Sequence, residues 1–534
     1  MKTMNLYNSF SLLKFAIKRD RVRSIIWIMG IGGMILLFTM MFKNLLPTEQ
    51  DIITMTIAQS ATPATRIFMA PASGVSLGGF TMLRVSTTII TFFGLFNFLT
   101  VIRHTRQSED LGRLELLGST AVGRYSVLTS TLGLMGILNF LLAGVTFGIF
   151  RWIAALPAEG SLLAALSFGL FGMLFGVIGA ITAQLAQTSR GASGLAGLIL
   201  AFSFLISGMG NALGEFHLDT LTVDSHFMIW FSPYGWYQQI HAFHDNQGIF
   251  LLVYVAAILI LLPIPYFLLQ RRDLGAGILP AKKGREEASP FLRSPLGLAW
   301  RLHRKLMVIW VLVALSLGSL FGAISEDFSE ALGALEQAGA VFSEEQMLLS
   351  VISILGSLLI IYVIQGLLIL SGEEKNGGVE GVLSASVSRR IWLGSHIVMI
   401  LSGSFLVLLA IGLSTGIAAS GQEIFTVGML LETAMLLLPA FIAVAGFSLL
   451  AYSLSHRMFP SVPWGIMIIS LGLGPFFGSA MDLPETLKNL SPFTHVPYVL
   501  QDLEGAGYWI FAVLGLITLI VAVFRIRHRP LDLP

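Results

Sequence analysis

Twelve apolar runs dominate the chain, each of about 20 residues or more, the length at which one helix crosses the hydrocarbon of a bilayer. They fall at 24–43, 80–102, 126–150, 161–186, 192–213 and 249–269, and again at 306–325, 346–370, 392–418, 424–452, 462–480 and 508–525. The pattern predicts an all-α polytopic membrane protein of twelve transmembrane helices, six in a first half (24–270) and six in a second (306–526), followed by a short cytoplasmic tail (527–534). Ahead of the first run, Leu6, Phe10, Leu13 and Ile17 share one helical face while Lys14, Lys18 and Arg21 lie off it. Residues 1–23 are therefore expected to form a helix lying in the headgroup layer rather than a cleavable signal. Residues 271–305 are basic and interrupted by Pro280, Pro290 and Pro295, which predicts a cytoplasmic linker. Beyond its last proline, Leu296, Ala299, Trp300 and His303 predict a second surface-lying helix, before span 7. Pro263, Pro265 and Pro439 are expected to kink spans 6 and 10.

The polar segment Arg103–Tyr125, between the second and third runs, recurs farther along the chain without a gap. Glu109 falls on Glu374, Gly112 on Gly377, Glu115 on Glu380, Val122 on Val387 and Arg124 on Arg389. In the first copy Leu111, Leu114 and Leu117 line one side of a short helix, Glu109, Arg113 and Glu115 project elsewhere, and Gly112 and Gly118 permit a turn. A short amphipathic helix carrying both signs of charge suits a groove on a soluble partner. A solvated loop kept polar to stay out of the bilayer would explain one copy; two copies with matched acids, glycine and arginine favour docking. The second copy departs at Gly378 and Gly381, where the first has Arg113 and Leu116. Two further segments echo each other just before the last span of each half, WFSPYGW (Trp230–Trp236) and LSPF (Leu490–Phe493).

Composition agrees with a membrane setting: 55% of residues are hydrophobic and only 12% charged, against roughly a quarter charged in soluble proteins. Lysine and arginine set the expected orientation. With both termini in the cytoplasm, 27 of the 32 basic residues fall on the inner side, and Lys43, Arg66, Arg84, Arg151 and Lys488 are the exceptions. The segment 326–345, placed outside, holds six acids and no base. The net charge of +2 says little on its own, because in a membrane protein the placement of the charges matters; no nucleic-acid partner is expected.

Several chemistries are excluded. The chain has no cysteine, so no disulfide, thiolate metal site or thiol nucleophile. It has no GxxxxGK[ST] loop to cradle a nucleotide phosphate, and neither GxSxG nor HExxH. The chain is not expected to be an ATPase or another enzyme by itself.

The run Glu109–Leu117 ending at Val122–Arg124, its copy Glu373–Arg389, the two Ser-Pro segments and the basic connection Arg271–Gly277 together resemble an ABC-2-type ABC transporter permease of the fused, twelve-span kind described as exporters of polyketide antibiotics. The resemblance covers essentially the whole chain, and the order of its elements is more specific than any one of them. It implies two pseudo-two-fold-related six-helix halves in which the loop between spans 2 and 3 is a coupling helix seated on a separate ATP-binding subunit. That subunit, a homodimer contacting both halves, would carry ATP and Mg, with no cofactor in this chain. The docking residues carried over are Glu109, Asp110, Gly112, Arg113, Glu115 and Arg124 in the first copy, and Glu374, Gly377, Glu380 and Arg389 in the second. The implied activity is outward movement of hydrophobic or amphipathic, drug-like cargo across a bacterial plasma membrane.

The transport path is signalled more weakly. Glu432 lies within span 10, where an ionised group normally faces a cavity or partner, unless the span starts deeper and leaves it near the outer interface. Asn97, Gln365, Asn139 and Gln184 are further candidates, although interhelical hydrogen bonding is the commoner use of such groups. Arg84, near the outer end of span 2, fits snorkelling. His241 and His244 are spaced to reach one metal ion, but an exposed polar loop accounts better for the segment 214–248, with Trp230, Trp236 and Tyr237 as interfacial anchors. Two other classes share part of the pattern. A major-facilitator carrier has twelve spans and a charged 2–3 loop, but Asp110–Arg113 is one residue too short for its D-x-x-G-R. A membrane-embedded lipid-linked transferase would need clustered polar groups at one face, and only the histidine segment offers them.

Overall fold

The computed structural model describes residues 6–60, 63–118, 120–273, 275–279, 287, 289–337, 344–375, 377–385, 387–420, 426–454, 459, 461–474, 483–499 and 506–527. It divides into two compact units, Met1–Lys283 and Gly284–Pro534.

Unit 1 runs α1 (Ser9–Leu45), α2 (Glu49–Ser60), α3 (Pro63–Phe68), α4 (Leu77–His104), α5 (Arg106–Asp110), α6 (Arg113–Gly118), α7 (Ser126–Gly148, closed by a wider π-type turn), α8 (Ala158–Leu185) and α9 (Ser189–Ala212). A small antiparallel hairpin pairs Glu215–His217 with Thr222–Asp224, and α10 (Pro233–Gln238), α11 (Leu251–Leu261) and α12 (Pro263–Arg271) follow. Unit 2 runs α13 (Pro295–Gln337), α14 (Glu344–Leu358), α15 (Ile361–Lys375), α16 (Gly378–Leu383), α17 (Arg389–Ala418), α18 (Val427–Met435), α19 (Leu438–Leu454), α20 (Ser461–Gly472) and α21 (Ala506–Arg525). Among the described residues, 11 helical segments are long and apolar enough to cross a membrane. The protein is an all-α polytopic membrane protein. In the run expected as span 11, α20 has 12 residues, and 475–480 lie outside the described residues.

The surface-lying helices take a different form from the one expected. Residues 9–45 form one continuous helix, and so do 295–337. No proline or glycine stands between Ser9 and Met29, so nothing in the chain obliges the helix to end at the interface. Side-chain chemistry also fastens this part of α1 to the end of α4. Asp20 is buried, and His104 Nε2 lies 2.7 Å from its Oδ2. Arg19 Nη2 lies 2.8 Å from His104 Nδ1; because a guanidinium only donates, Nδ1 accepts and Nε2 carries the proton that is donated to Asp20.

The regular helical pattern lapses next to the prolines, at Leu262 before Pro263 and at Leu436–Leu437 before Pro439, while the backbone at Leu262 and Leu436 stays helical. A proline supplies no N–H and its ring crowds the carbonyl one turn back.

The two Ser-Pro segments share one local geometry. Ser232 donates to Ser203 O at 2.5 Å and accepts from Tyr234 N at 3.1 Å, with Pro233 at the first helical position. Ser491 donates to Ser470 O at 2.6 Å and accepts from Phe493 N at 3.2 Å, with Pro492 in the same place. Tyr237 is not an interfacial anchor. It is buried in the core of unit 1, with its hydroxyl on Ser86 (3.0 Å) and Thr87 (2.8 Å), because a phenol taken out of water needs a partner for its O–H.

Small residues allow close helix approach in unit 2. A Cβ added at Gly515 of α21 would stand 2.7 Å from the backbone of Ala443 in α19. Gly515→Ala is expected to destabilise the protein by about 1–3 kcal/mol, read as a lower thermal midpoint. Gly465→Ala in α20, where nothing lies within 4 Å of the added carbon, should leave the midpoint unchanged or raise it slightly, since alanine suits a helix interior better than glycine.

Candidate functional site

The first polar segment folds as two short helices, α5 and α6, joined by a tight turn. Gly112 takes the left-handed conformation at φ 67° and its N–H donates to Glu109 O at 2.9 Å. Only glycine adopts this φ without strain, which is the reason for a glycine here. The second segment repeats the turn: Gly377 has φ 73°, and its N–H donates to Glu374 O at 3.2 Å before α16 begins.

Behind the first turn lies a buried ionic lock. The Glu109 carboxylate accepts from Arg272 Nη1 at 2.7 Å and Nη2 at 2.8 Å, from Gly275 N at 2.5 Å and from Arg106 Nη1 at 3.1 Å. A two-pronged arginine–carboxylate contact is among the stronger polar contacts available to a protein. Arg106 also donates to Gln187 O (3.0 Å from Nε), Ala276 O (2.9 Å) and Gly275 O (3.2 Å). Asp110 accepts from Ser189 N at 2.7 Å, the first residue of α9. Arg124 donates to Leu269 O (2.9 Å) and Gln270 O (3.2 Å), capping the carbonyl end of α12. The loop between spans 2 and 3 is thereby fixed to the end of span 6 and to the loop between spans 4 and 5. Gly277 belongs to the same contact, since an added Cβ there would meet the Ala186–Gln187 backbone at 2.6 Å.

This changes the expected orientation of the loop. Glu109 does not project from a helix whose leucines face inward; it is the buried member, and Leu111 is 57% exposed. Burial of Arg106 and Arg272 beside it is the reason, because a buried cation has to be matched by an acid. The outward face of the segment consists of Leu111, Arg113, Glu115 and Leu116, the last 74% exposed. The side chain of Leu117 lies outside the described residues. Glu109, Asp110 and Arg124 thus position the loop, while Arg113 and Glu115 are presented.

In the second segment Glu374 is fully buried and accepts a hydrogen bond from the Tyr452 hydroxyl of α19, and Glu380 is exposed on α16. Arg389 opens α17 and is half-buried. The two copies therefore share a buried acid, a left-handed glycine and an exposed acid in the same order. They differ in the lock, where Ser371 and Lys375 stand in place of Arg106 and Asp110. Sequence reasoning missed Arg106, Asp20 and Tyr452, and nothing in their spacing marks them. Arg272 had a visible signal, its place in the run Arg271–Gly277.

The path candidates separate. Asn97 is 0% exposed and exchanges two hydrogen bonds with Asn139 of α7 (3.0 and 2.5 Å), each amide also donating to the carbonyl one turn back. This clasps two helices together. Gln184 accepts from Arg272 Nε at 2.6 Å and belongs to the lock. Gln365 accepts from Trp310 Nε1 at 3.0 Å. Glu432 lies in α18 just before the break at Leu436 and is half-buried. His241 and His244 both lie beside Asp245, at 3.8 and 3.3 Å; among the described residues, no three side chains of metal-ligating type come together.

These features define a helical membrane protein with no recognisable nucleotide-binding motif, carrying two matched polar turns between its spans. Residues 292–527 match the family model described as the multidrug efflux system permease Rv1217c, C-terminal domain. Over an alignment of 544 positions, covering 97% of this chain and 95% of the other, the sequence is 29% identical to the multidrug efflux system permease protein Rv1217c of Mycobacterium tuberculosis.

Proposed function

We propose that the chain is the permease subunit of an ATP-driven ABC-2-type exporter in a bacterial plasma membrane, with twelve spans in two six-span halves and both termini in the cytoplasm. It moves hydrophobic or amphipathic, drug-like compounds outward. Separate ATP-binding subunits dock on α6 and α16 and supply the work. The observation that carries this reading is the repeated turn: the same left-handed glycine, flanked by a buried acid and an exposed acid, appears twice in a chain without a phosphate-binding loop. Near-full-length similarity to a multidrug efflux permease supports the transport role. The exposed acids are the contact groups, and the buried ones hold the turn.

The test is co-purification. The tagged full chain, mildly extracted from its native host, should bring down a P-loop ATPase. Glu115→Lys with Glu380→Lys should abolish that association and efflux, with an unchanged thermal midpoint because both side chains are exposed. Retention of efflux by this pair would overturn the reading.

A further inference from the structure

At the end of α4 remote from the polar segment, unit 1 contains a chamber of about 500 Å3 beneath the short helices α2 and α3. Phe38, Phe42, Phe80, Met55 and Met69 are among its apolar lining, and Arg84 supplies the one positive charge among its lining residues. Phe42 and Phe80 meet edge to face at 5.2 Å, making a firm aromatic wall. The methionines are pliable and accommodate different apolar shapes.

Arg84 is exposed, as a snorkelling side chain would be, and it stands at the edge of this chamber. Its Nη1 donates to Gln59 Oε1 at 3.2 Å and touches Met69 Sδ at 3.6 Å, both lining the same chamber. Among the described residues its Nε and Nη2 donate to no protein group, and no carboxylate lies within ion-pair distance of it. Exposed beside phenylalanines and methionines near the end of an apolar span, this guanidinium keeps its remaining donors for water or an anion. Its two open donors have the forked geometry that a carboxylate, sulfonate or phosphate monoester fills with two parallel bonds. The volume lies within the roughly 300–1,000 Å3 typical of small-molecule pockets.

From this cation in an aromatic and thioether chamber, we infer that α1, α2, α3 and α4 form a binding site for amphipathic organic anions other than bilayer phospholipids, the apolar body against the phenylalanines and methionines and the acidic head on Arg84. As a statement about cargo it rests on the exporter reading above. Binding itself does not.

The experiment uses a probe series differing only in the head group: 1-pyrenebutyrate, 1-pyrenebutanol and 1-pyrenebutylamine, titrated against the purified full chain in detergent without any ATPase. The wild type should bind the carboxylate about tenfold more tightly than the amine, the worth of a charge-assisted hydrogen-bond pair. Arg84→Gln should bring the three affinities together, Arg84→Lys should retain the preference for the anion, and Phe42→Ala should weaken all three alike. An unchanged anion preference in Arg84→Gln, with an unaltered thermal midpoint, overturns the inference. Displacement of bound pyrenebutyrate by phosphatidylglycerol also overturns it, since the chamber would then be a lipid site. Because no ATPase is present, failure here leaves the exporter reading standing, and failure to co-purify an ATPase leaves the binding result standing.

Discussion

Glu109→Ala is expected to cost about 3–5 kcal/mol of stability, the usual consequence of leaving a buried ion without its partner. Two guanidinium groups, Arg106 and Arg272, converge on this one carboxylate, and their side chains are only 0% and 7% exposed. Neither can turn to water without opening the contact between the 2–3 loop and the end of α12. Arg272→Met should be similarly damaging, because it leaves the acid short of its two closest side-chain donors. The double variant Glu109→Ala/Arg272→Met should lose clearly less than the sum of the two, since the contact that each single change breaks is lost only once and Arg106 still has Asp110 beside it at 3.6 Å. Thermal unfolding of the four purified proteins closes the cycle. Additive losses would show that the carboxylate and the guanidinium do not act as a pair. Raising the salt concentration should change little, as a buried pair is poorly screened.

Gly112→Val and Gly377→Val are expected to leave the protein folded and impair efflux. A branched side chain in the left-handed region is strained by roughly 1–2 kcal/mol, and the added carbon at Gly112 meets no atom within 4 Å. Strain is therefore the whole effect there, and the turn can relieve it by changing the direction of the helix that follows. If it does so, the population holding the native turn falls about five- to thirtyfold. Drug accumulation in cells expressing each variant measures the result. Gly381→Ala, in helical conformation with open space around it, is the control and should behave as the wild type. Unequal losses from the two valine variants would show that the two turns contribute unequally to efflux.

The hydrophobic pattern carried most of the architecture, because burial in lipid is a property of runs of residues and survives in the linear text. The matched glycines were legible for a similar reason, since a backbone requirement falls on the same residue type in both copies. Which face of the turn points inward was not legible. It depends on Arg272 meeting Glu109 across a separation of 163 residues, beside the nearby Arg106, and an amphipathic pattern of two turns is too short to outvote a buried charge. Tyr237 was misplaced for the same cause: an aromatic near a span end suits an interface, and only the hydroxyls of Ser86 and Thr87 reveal that it enters the core. Asn97 matched the reading of an interhelical clasp once Asn139 was seen opposite it.

The interruption at Leu262 has a mechanical meaning. On one side of it, α11 is held where the Tyr254 hydroxyl meets Pro233 O at 2.5 Å. On the other, the end of α12 is riveted through Arg124 and Arg272 to the loop that carries α6. If α6 is pushed from the water phase, these bonds would carry the displacement to the nine-residue α12, and the proline that lacks an N–H at its start is where the span could bend against the anchored α11.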